Sequence, residues 1–192
     1  MKKNILIATI LGSIALVCAL LIALMNMVTS PTIKDNNSKK ELETCQAIFE
    51  EYDDEKSESM DLAGTEKQIS KKVLAKDSNG NVLGYLYTVS DKNAYGIITL
   101  MVAIKDDKVY QVEFLENGQS FSQTVDNHVH SVYPSSETTD VHLGFYDENS
   151  SSVDSIDKNT VENIDTSCGA TYGAELVKKL VLIALNDTRE VA

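Results

Sequence analysis

The residues whose types and spacing could support covalent chemistry are residues 165–171, near the end of the 192-residue chain, which read Asp-Thr-Ser-Cys-Gly-Ala-Thr. They directly precede a segment with apolar residues at helical spacing. Thr171 is therefore predicted at or next to a helix N-terminus, where unpaired N–H groups and the positive end of the helix dipole favour a phosphate. Gly169 allows a close backbone approach and Ala170 adds little bulk. The pattern thus predicts a hydroxyl presented to a large phosphate-bearing group, although a plain N-cap at Thr171 is the simpler reading.

The helix that would position Thr171 is predicted over residues 172–186. Its apolar residues recur at i, i+1, i+4, i+5, i+8 and i+9, which marks one buried face. These residues are Leu176, Val177, Leu180, Val181, Ala184 and Leu185.

This segment resembles the flavin-attachment motif of the FMN-binding domain family, whose members include the RnfG protein of the Rnf complex and the NqrC protein of the Na⁺-pumping NADH:quinone oxidoreductase. The motif reads roughly Asp-x-x-Ser/Thr-Gly-Ala-Thr, and a dedicated FMN transferase esterifies FMN phosphate onto its last threonine. The resemblance implies covalent FMN held by a phosphoester on Thr171, with Gly169, Ala170, Cys168 and Asp165 completing the cofactor-binding site. Asp165 would either bind the metal–nucleotide substrate of the transferase or fix the loop through its carboxylate.

The chain departs from the family pattern at several positions. Cys168 stands where the family usually has Ser or Thr, and Gly173 where it often has a hydroxyl residue. The family's Glu-Thr-Pro-Gly-like turn is not evident, because residues 116–122 read Glu-Asn-Gly-Gln-Ser-Phe-Ser. A partial match to the family's Gly-Tyr-x-Gly-like start occurs at Tyr95-Gly96, ahead of an apolar strand. Candidates for stacking on the flavin ring are the strand tyrosines Tyr85, Tyr87 and Tyr95, for which ordinary packing is the alternative.

The N-terminal segment predicts a membrane anchor. Residues 4–33 contain no charged side chain and residues 5–28 are almost wholly apolar, which at 1.5 Å per residue spans a bilayer. Lys2 and Lys3 precede the segment and acidic residues follow, so the positive-inside rule places the N-terminus in the cytoplasm. A cleaved signal peptide is the alternative, disfavoured by the length of the apolar run. We expect a single-pass cell-membrane protein, with residues 1–33 as cytoplasmic tip and anchor and residues 34–192 as an extracytoplasmic FMN-binding domain.

The remaining patterns predict an α+β fold, in which the N-terminal transmembrane helix is followed by an antiparallel sheet flanked by helices. A capping-box spacing predicts a helix over residues 38–52, followed by a loop over residues 53–67. An Asn-Gly turn predicts a hairpin between strands 73–76 and 82–89, and a charged turn predicts a second between strands 97–104 and 109–115. Residues 120–162 are polar, with an edge strand expected at 141–146 and an exposed loop at 147–155.

Composition and missing motifs exclude several function classes. The formal net charge of −12 disfavours nucleic-acid partners. Cys45 and Cys168 could form a disulfide, but the chain has no Cys-x-x-Cys motif for zinc or iron–sulfur ligation. A metal site at His128, His130 and His142 is geometrically possible on a strand, yet solvated or hydrogen-bonded histidines are expected. No nucleophile elbow, dinucleotide fingerprint or Walker loop is present, so we expect neither catalytic residues nor a self-contained enzyme.

The resemblance implies an electron-carrier subunit of a membrane-bound, ion-translocating oxidoreductase of the Rnf type. Its expected partners are the other membrane subunits of that complex, an FMN transferase for maturation, and the membrane itself through the N-terminal helix. Two alternatives stay open. One is a stand-alone surface FMN-protein in extracellular electron transfer, and the other is a degenerate, flavin-free binding or assembly module.

Overall fold

The computed structural model of the chain describes residues 2–135, 140–141, 151–152 and 155–191. The chain divides into two compact units, Met1–Glu41 and Leu42–Ala192. Most of the predicted edge strand 141–146 and loop 147–155 lies outside the described residues, and so does His142. Asp140–Val141 does form a short strand, β6, which pairs with β7 at Ser151–Ser152.

The first element is the long helix α1, Lys2–Ile48. Its segment Thr9–Ile48 is long and apolar enough to cross a membrane, and the most apolar 18-residue stretch in it has a mean hydropathy of 2.4 and is not buried. The predicted helix start at Ser38 and end near Tyr52 are wrong, because α1 passes through Pro31 and Ser38 and stops at Ile48. An interior proline removes one hydrogen bond and crowds the preceding turn, yet α1 continues through Pro31, and no glycine lies between Gly12 and Gly64.

The second unit contains a five-stranded antiparallel sheet in which each strand pairs with the next along the chain. Both predicted hairpins are confirmed, and their turns have the expected chemistry. Gly80 has φ 86°, and Asp106 and Asp107 have φ 52° and 59°, which is the positive φ that tight hairpin turns require. Of these five strands, β1 was not predicted, and neither was β7 of the short second pair, because residues 147–155 were predicted as a loop. The strands are β1 (Glu58–Ser59), β2 (Ile69–Lys76), β3 (Val82–Asn93), β4 (Gly96–Lys105) and β5 (Lys108–Asn117).

Both faces of this sheet are buried, because helices or turns pack on each side. Along β4, Leu100 and Val102 point to one face and Met101 and Ala103 to the other, as the two-residue period of a strand requires. The first face packs against three helices, α2 (Ser122–Val132), α3 (Lys158–Asn163) and α4 (Thr171–Val191). The second face is covered by the residues at and just after the end of α1, which are Cys45, Ile48, Phe49 and Tyr52. The α+β class with a helix-flanked antiparallel sheet is confirmed.

Helices α2 and α3 were not predicted, since residues 120–162 are mostly polar. Val125, Val129 and Val132 of α2 are fully buried at a spacing of four and three residues, so the helical period was present but sparse. Asp157 caps α3 by accepting a hydrogen bond from the Thr160 backbone N–H at 2.8 Å. Packing against the sheet stabilises these two helices. Their mostly polar composition gave little indication of this burial.

The C-terminal half of α4 is tied to the sheet by a buried polar cluster. Lys72 on β2 forms an ion pair with Asp187 on α4, and its ammonium lies 5.2 Å from the centre of the Tyr87 ring. The Tyr87 hydroxyl donates to the same Asp187 carboxylate at 3.0 Å. Burial is the main reason that the pKa of Tyr87 is raised above its usual value. A buried charge is tolerated only when it is paired in this way.

Candidate cofactor-binding site

Thr171 is the first residue of α4. The Gly173 and Ala174 N–H groups both donate to the Ala170 carbonyl, at 2.9 and 3.1 Å, and so close the first turn. The Thr171 hydroxyl donates instead to the Cys168 carbonyl at 2.9 Å. An N-cap side chain accepts from a backbone N–H, so the N-cap reading of Thr171 is wrong. Its oxygen lies at the helix N-terminus, and none of the described residues donates a hydrogen bond to it.

The loop before Thr171 is held by Asp165. Its carboxylate accepts a hydrogen bond from the Ser167 backbone N–H at 2.8 Å, and the Cys168 N–H donates to the Thr166 carbonyl at 2.8 Å. The hydrogen bonds from Ser167, with smaller contributions from His128 and Lys178, hold the pKa of Asp165 below its usual value. Of the two roles considered for Asp165, this contact matches the fixing of the loop.

A cleft of about 240 Å³ opens beside Thr171. Three segments distant in sequence line it: the β3–β4 turn, the chain after β5 with the start of α2, and the loop that leads into α4. Tyr95 and Tyr172 stack on each other, with ring centres 5.5 Å apart and planes 20° apart. The lining residues are Tyr95, Gln119, Phe121, Val125, Gly169, Ala170, Thr171, Tyr172 and Gly173.

The close approach of two backbones brings the first two segments together. Gly96 has φ 143°, and a Cβ there would lie 2.0 Å from the Gly118 carbonyl oxygen, so only glycine fits. Gln119 Nε2 donates to the Gly96 carbonyl at 2.7 Å, and the Ser120 N–H donates to the Tyr95 carbonyl at 3.0 Å. Residues 116–122 lack the family's turn sequence, yet they supply Gln119 and Phe121 to the cleft.

The two departures from the attachment motif have structural explanations. Cys168 is buried and meets Thr171 through its backbone carbonyl, so the weak hydrogen bonding of a thiol does not affect this contact. At Gly173, a Cβ would lie 2.5 Å from Val125 Cγ2, and Val125 is fully buried. The packing of α2 against α4 therefore favours glycine at position 173, where the motif that this segment resembles often has a hydroxyl residue.

Of the three tyrosines proposed for stacking, only Tyr95 lies at the cleft. Tyr87 is fully buried in the polar cluster with Asp187, and Tyr85 packs against the core. The cleft residues that the sequence did not single out are Tyr172, Phe121 and Gln119. The sequence offered one indication that Tyr172 lies at the cleft, because it directly follows the predicted acceptor Thr171.

The other constellations do not form sites in the described part of the chain. His128 and His130 lie on α2, where residues two apart face different directions, so the strand geometry proposed for them is wrong. Among described residues, no group of three or more metal-ligating side chains occurs. Cys45 packs on the second sheet face with its sulfur 3.7 Å from Met101 Sδ, whereas Cys168 precedes α4. The structure shows no disulfide between them, so the pairing that the sequence left open is not formed.

The chemistry of the site fits a phosphate ester with an attached ring. A helix N-terminus beside Thr171 favours phosphate, and the cleft lining carries no charged side chain among the described residues. Pockets that bury a whole drug-sized ligand measure roughly 300–1,000 Å³. The cleft beside Thr171 is somewhat smaller than that range.

Comparison with known proteins gives one family match. Residues 1–48 match the family model described as the RnfG N-terminal region. No curated protein and no solved structure matches the chain significantly. The apolar helix and this match together indicate membrane association. The match covers a segment well separated from residues 165–171, and it confirms that the chain resembles RnfG.

Proposed function

We propose that the chain is the electron-carrier subunit of an Rnf-type membrane complex, with FMN attached through a phosphoester to Thr171. Two separate parts of the chain support this: residues 1–48, which match RnfG, and the segment 165–171. The observation that carries the proposal is the position of Thr171, at the start of α4 and at the edge of an aromatic cleft.

The residues around Thr171 have distinct roles in this proposal. A flavin dinucleotide bound by the transferase would supply the FMN phosphate: Thr171 Oγ1 would bond to the phosphorus while the phosphoanhydride bond to the departing nucleoside monophosphate breaks, and the hydroxyl proton would pass to solvent. The Cys168 carbonyl would then lose the hydroxyl donor that it has in this structure. Asp165 keeps the loop in place, while Gly169 and Ala170 leave the approach open. At Gly169, a Cβ would meet its nearest atom at 3.5 Å, which is an ordinary contact. Bound FMN would supply one- and two-electron redox chemistry, and the protein would hold it at a set distance from its partners.

The proposed membrane arrangement follows from charge. Lys2 and Lys3 would stay in the cytoplasm, residues 4–33 would span the bilayer, and residues 34–192 would form the extracytoplasmic FMN-binding domain. A covalent bond suits that side of the membrane, because unattached FMN would be lost to the medium. The other membrane subunits of the complex and an FMN transferase are the proposed partners.

The test is covalent labelling of the full chain. The chain would be co-expressed with an FMN transferase, denatured, and examined by in-gel flavin fluorescence and intact mass. We expect a fluorescent band with the added mass of one FMN less one water, absent in Thr171→Val. Thr166→Val, a threonine in the same loop, is the matched control and should stay labelled.

The outcomes separate the alternatives. Labelling that persists in Thr171→Val would place the acceptor elsewhere. No labelling of the wild type, alongside a modified positive-control protein, would favour a flavin-free binding or assembly module. Labelled protein that does not co-purify with other membrane subunits would favour a stand-alone surface FMN-protein.

A further inference from the structure

Lys178 of α4 reaches across to the end of α3. Its ammonium donates hydrogen bonds to two backbone carbonyls there, that of Glu162 at 2.7 Å and that of Ile164 at 2.9 Å. The last carbonyls of a helix have no partner within the helix, and the last turn of α3 contains no basic residue of its own. A lysine on the neighbouring helix therefore satisfies the end of α3.

The residue that Lys178 binds is also the start of the loop that leads to Thr171. Helix α3 ends at Ile164, and the attachment loop, residues 165–170, follows it. The Ile164 side chain is buried in the core, while its carbonyl accepts the hydrogen bond from the charged ammonium. Apolar packing and a charge-assisted hydrogen bond thus fix the point at which the loop leaves the core.

The attachment loop has little other polar support. Within the described part of the chain, the hydrogen bonds of residues 165–170 all stay inside the segment 165–174. Burial of Cys168 and packing of Ala170 against the core add apolar contact. The direction of the loop therefore depends strongly on its two ends. One end is the first turn of α4, and the other is the Ile164 carbonyl that Lys178 binds.

We propose that Lys178 is a positioning residue, which holds the start of the attachment loop and thereby keeps the Thr171 hydroxyl presented to the FMN transferase. The second half of this inference rests on the proposed function. Without the contact, the presenting conformation of the loop would form a smaller share of the population. A binding partner that needs one conformation binds more weakly in proportion to that share. Loss of Lys178 should therefore raise the KM of the transferase for the chain and leave kcat nearly unchanged.

The first measurement follows the loop in the absence of flavin. The full chain, expressed without a transferase and kept in detergent, would be studied by amide hydrogen exchange over residues 165–170. In Lys178→Met this exchange should be about 10-fold faster, because a hydrogen bond from a charged group no longer opposes local opening. Lys178→Arg keeps the charge and the donors and should restore slow exchange. Lys179→Met is the matched control, because Lys179 pairs with Asp91 instead, at 2.7 Å, and the exchange should stay slow.

The second measurement follows attachment. Initial rates of covalent labelling by an FMN transferase, with a flavin dinucleotide as donor, would be recorded over a range of chain concentrations. Lys178→Met should raise KM about 3- to 10-fold and keep kcat within about 2-fold, while Lys178→Arg and Lys179→Met should match the wild type. Urea denaturation would verify folding. Lys178→Gln, with a shorter neutral side chain, gives the same comparison if the methionine variant is unstable.

Each result supports or overturns the inference. Loop exchange in Lys178→Met equal to that of the wild type overturns it, and so does faster exchange with an unchanged KM. A fall in kcat at constant KM also contradicts it, since Lys178 would then act on the reaction step. An unlabelled wild type beside a labelled control protein would reject the proposed function and the attachment role, and the exchange rates would still decide whether Lys178 holds the loop.

Discussion

The substitution Gly173→Ala should destabilise the protein when residue 125 is valine and stabilise it when residue 125 is alanine. Gly173 is helical, so Gly173→Ala by itself gains about 0.5–1 kcal/mol of helix propensity. In the wild-type background the new Cβ would lie 2.5 Å from Val125 Cγ2. Val125 is fully buried and β-branched, so it has few alternative rotamers.

The magnitudes follow from that contact. Overpacking a filled core costs about 1–3 kcal/mol, so Gly173→Ala should destabilise the wild-type protein by about 1 kcal/mol net. Val125→Ala should itself cost about 2 kcal/mol through lost burial and a cavity. With that cavity present, Gly173→Ala should stabilise the protein by about 0.5–1 kcal/mol. The coupling free energy between the two sites should be about 2 kcal/mol.

The assay is urea denaturation of the full chain in non-ionic detergent. The chain has eight tyrosines and no tryptophan, so near-ultraviolet circular dichroism of tyrosine can report tertiary unfolding. Gly169→Ala is the matched control for a Cβ added without a clash, because this Cβ would lie 3.5 Å from its nearest neighbouring atom. Equal effects of Gly173→Ala in both backgrounds, additive within about 0.5 kcal/mol, would refute the packing argument.

Two other predictions concern the buried polar groups. Lys72→Met should destabilise the domain by about 3–5 kcal/mol, because it leaves Asp187 buried without its cation; adding Asp187→Leu should recover most of that loss, and denaturation curves for both variants would check it. His128 is almost fully buried, and burial lowers its pKa, partly offset by Asp165. The unfolded chain therefore binds a proton more readily, so the His128 contribution to stability is complete above about pH 6.5 and is lost as pH falls below that value. His128→Gln should flatten this part of the stability–pH curve, while His130→Gln should leave it in place, and a pH dependence unchanged by His128→Gln would contradict the assignment.

The elements predicted correctly were those with strong local signals. The Asn-Gly turn and the charged turn specified both central hairpins, since the residues at these turns tolerate positive φ. The dense apolar stripe over residues 172–186 specified α4. Helix α2 was missed because only Val125, Val129 and Val132 mark its buried face, within an otherwise polar stretch.

The sequence by itself determined the long apolar N-terminal helix and the start of α4, and it supplied the hypothesis that Thr171 accepts a phosphate, because each depends on neighbours within a few positions. Only the tertiary structure decided which side chains surround Thr171. Tyr95 and Gln119 reach the cleft from β-strand ends far along the chain, held by the close contact of Gly96 with Gly118. The preference for glycine at position 173 also arises between two helices. Such contacts depend on how the elements pack, and no local pattern encodes the distance between residues that are remote in sequence.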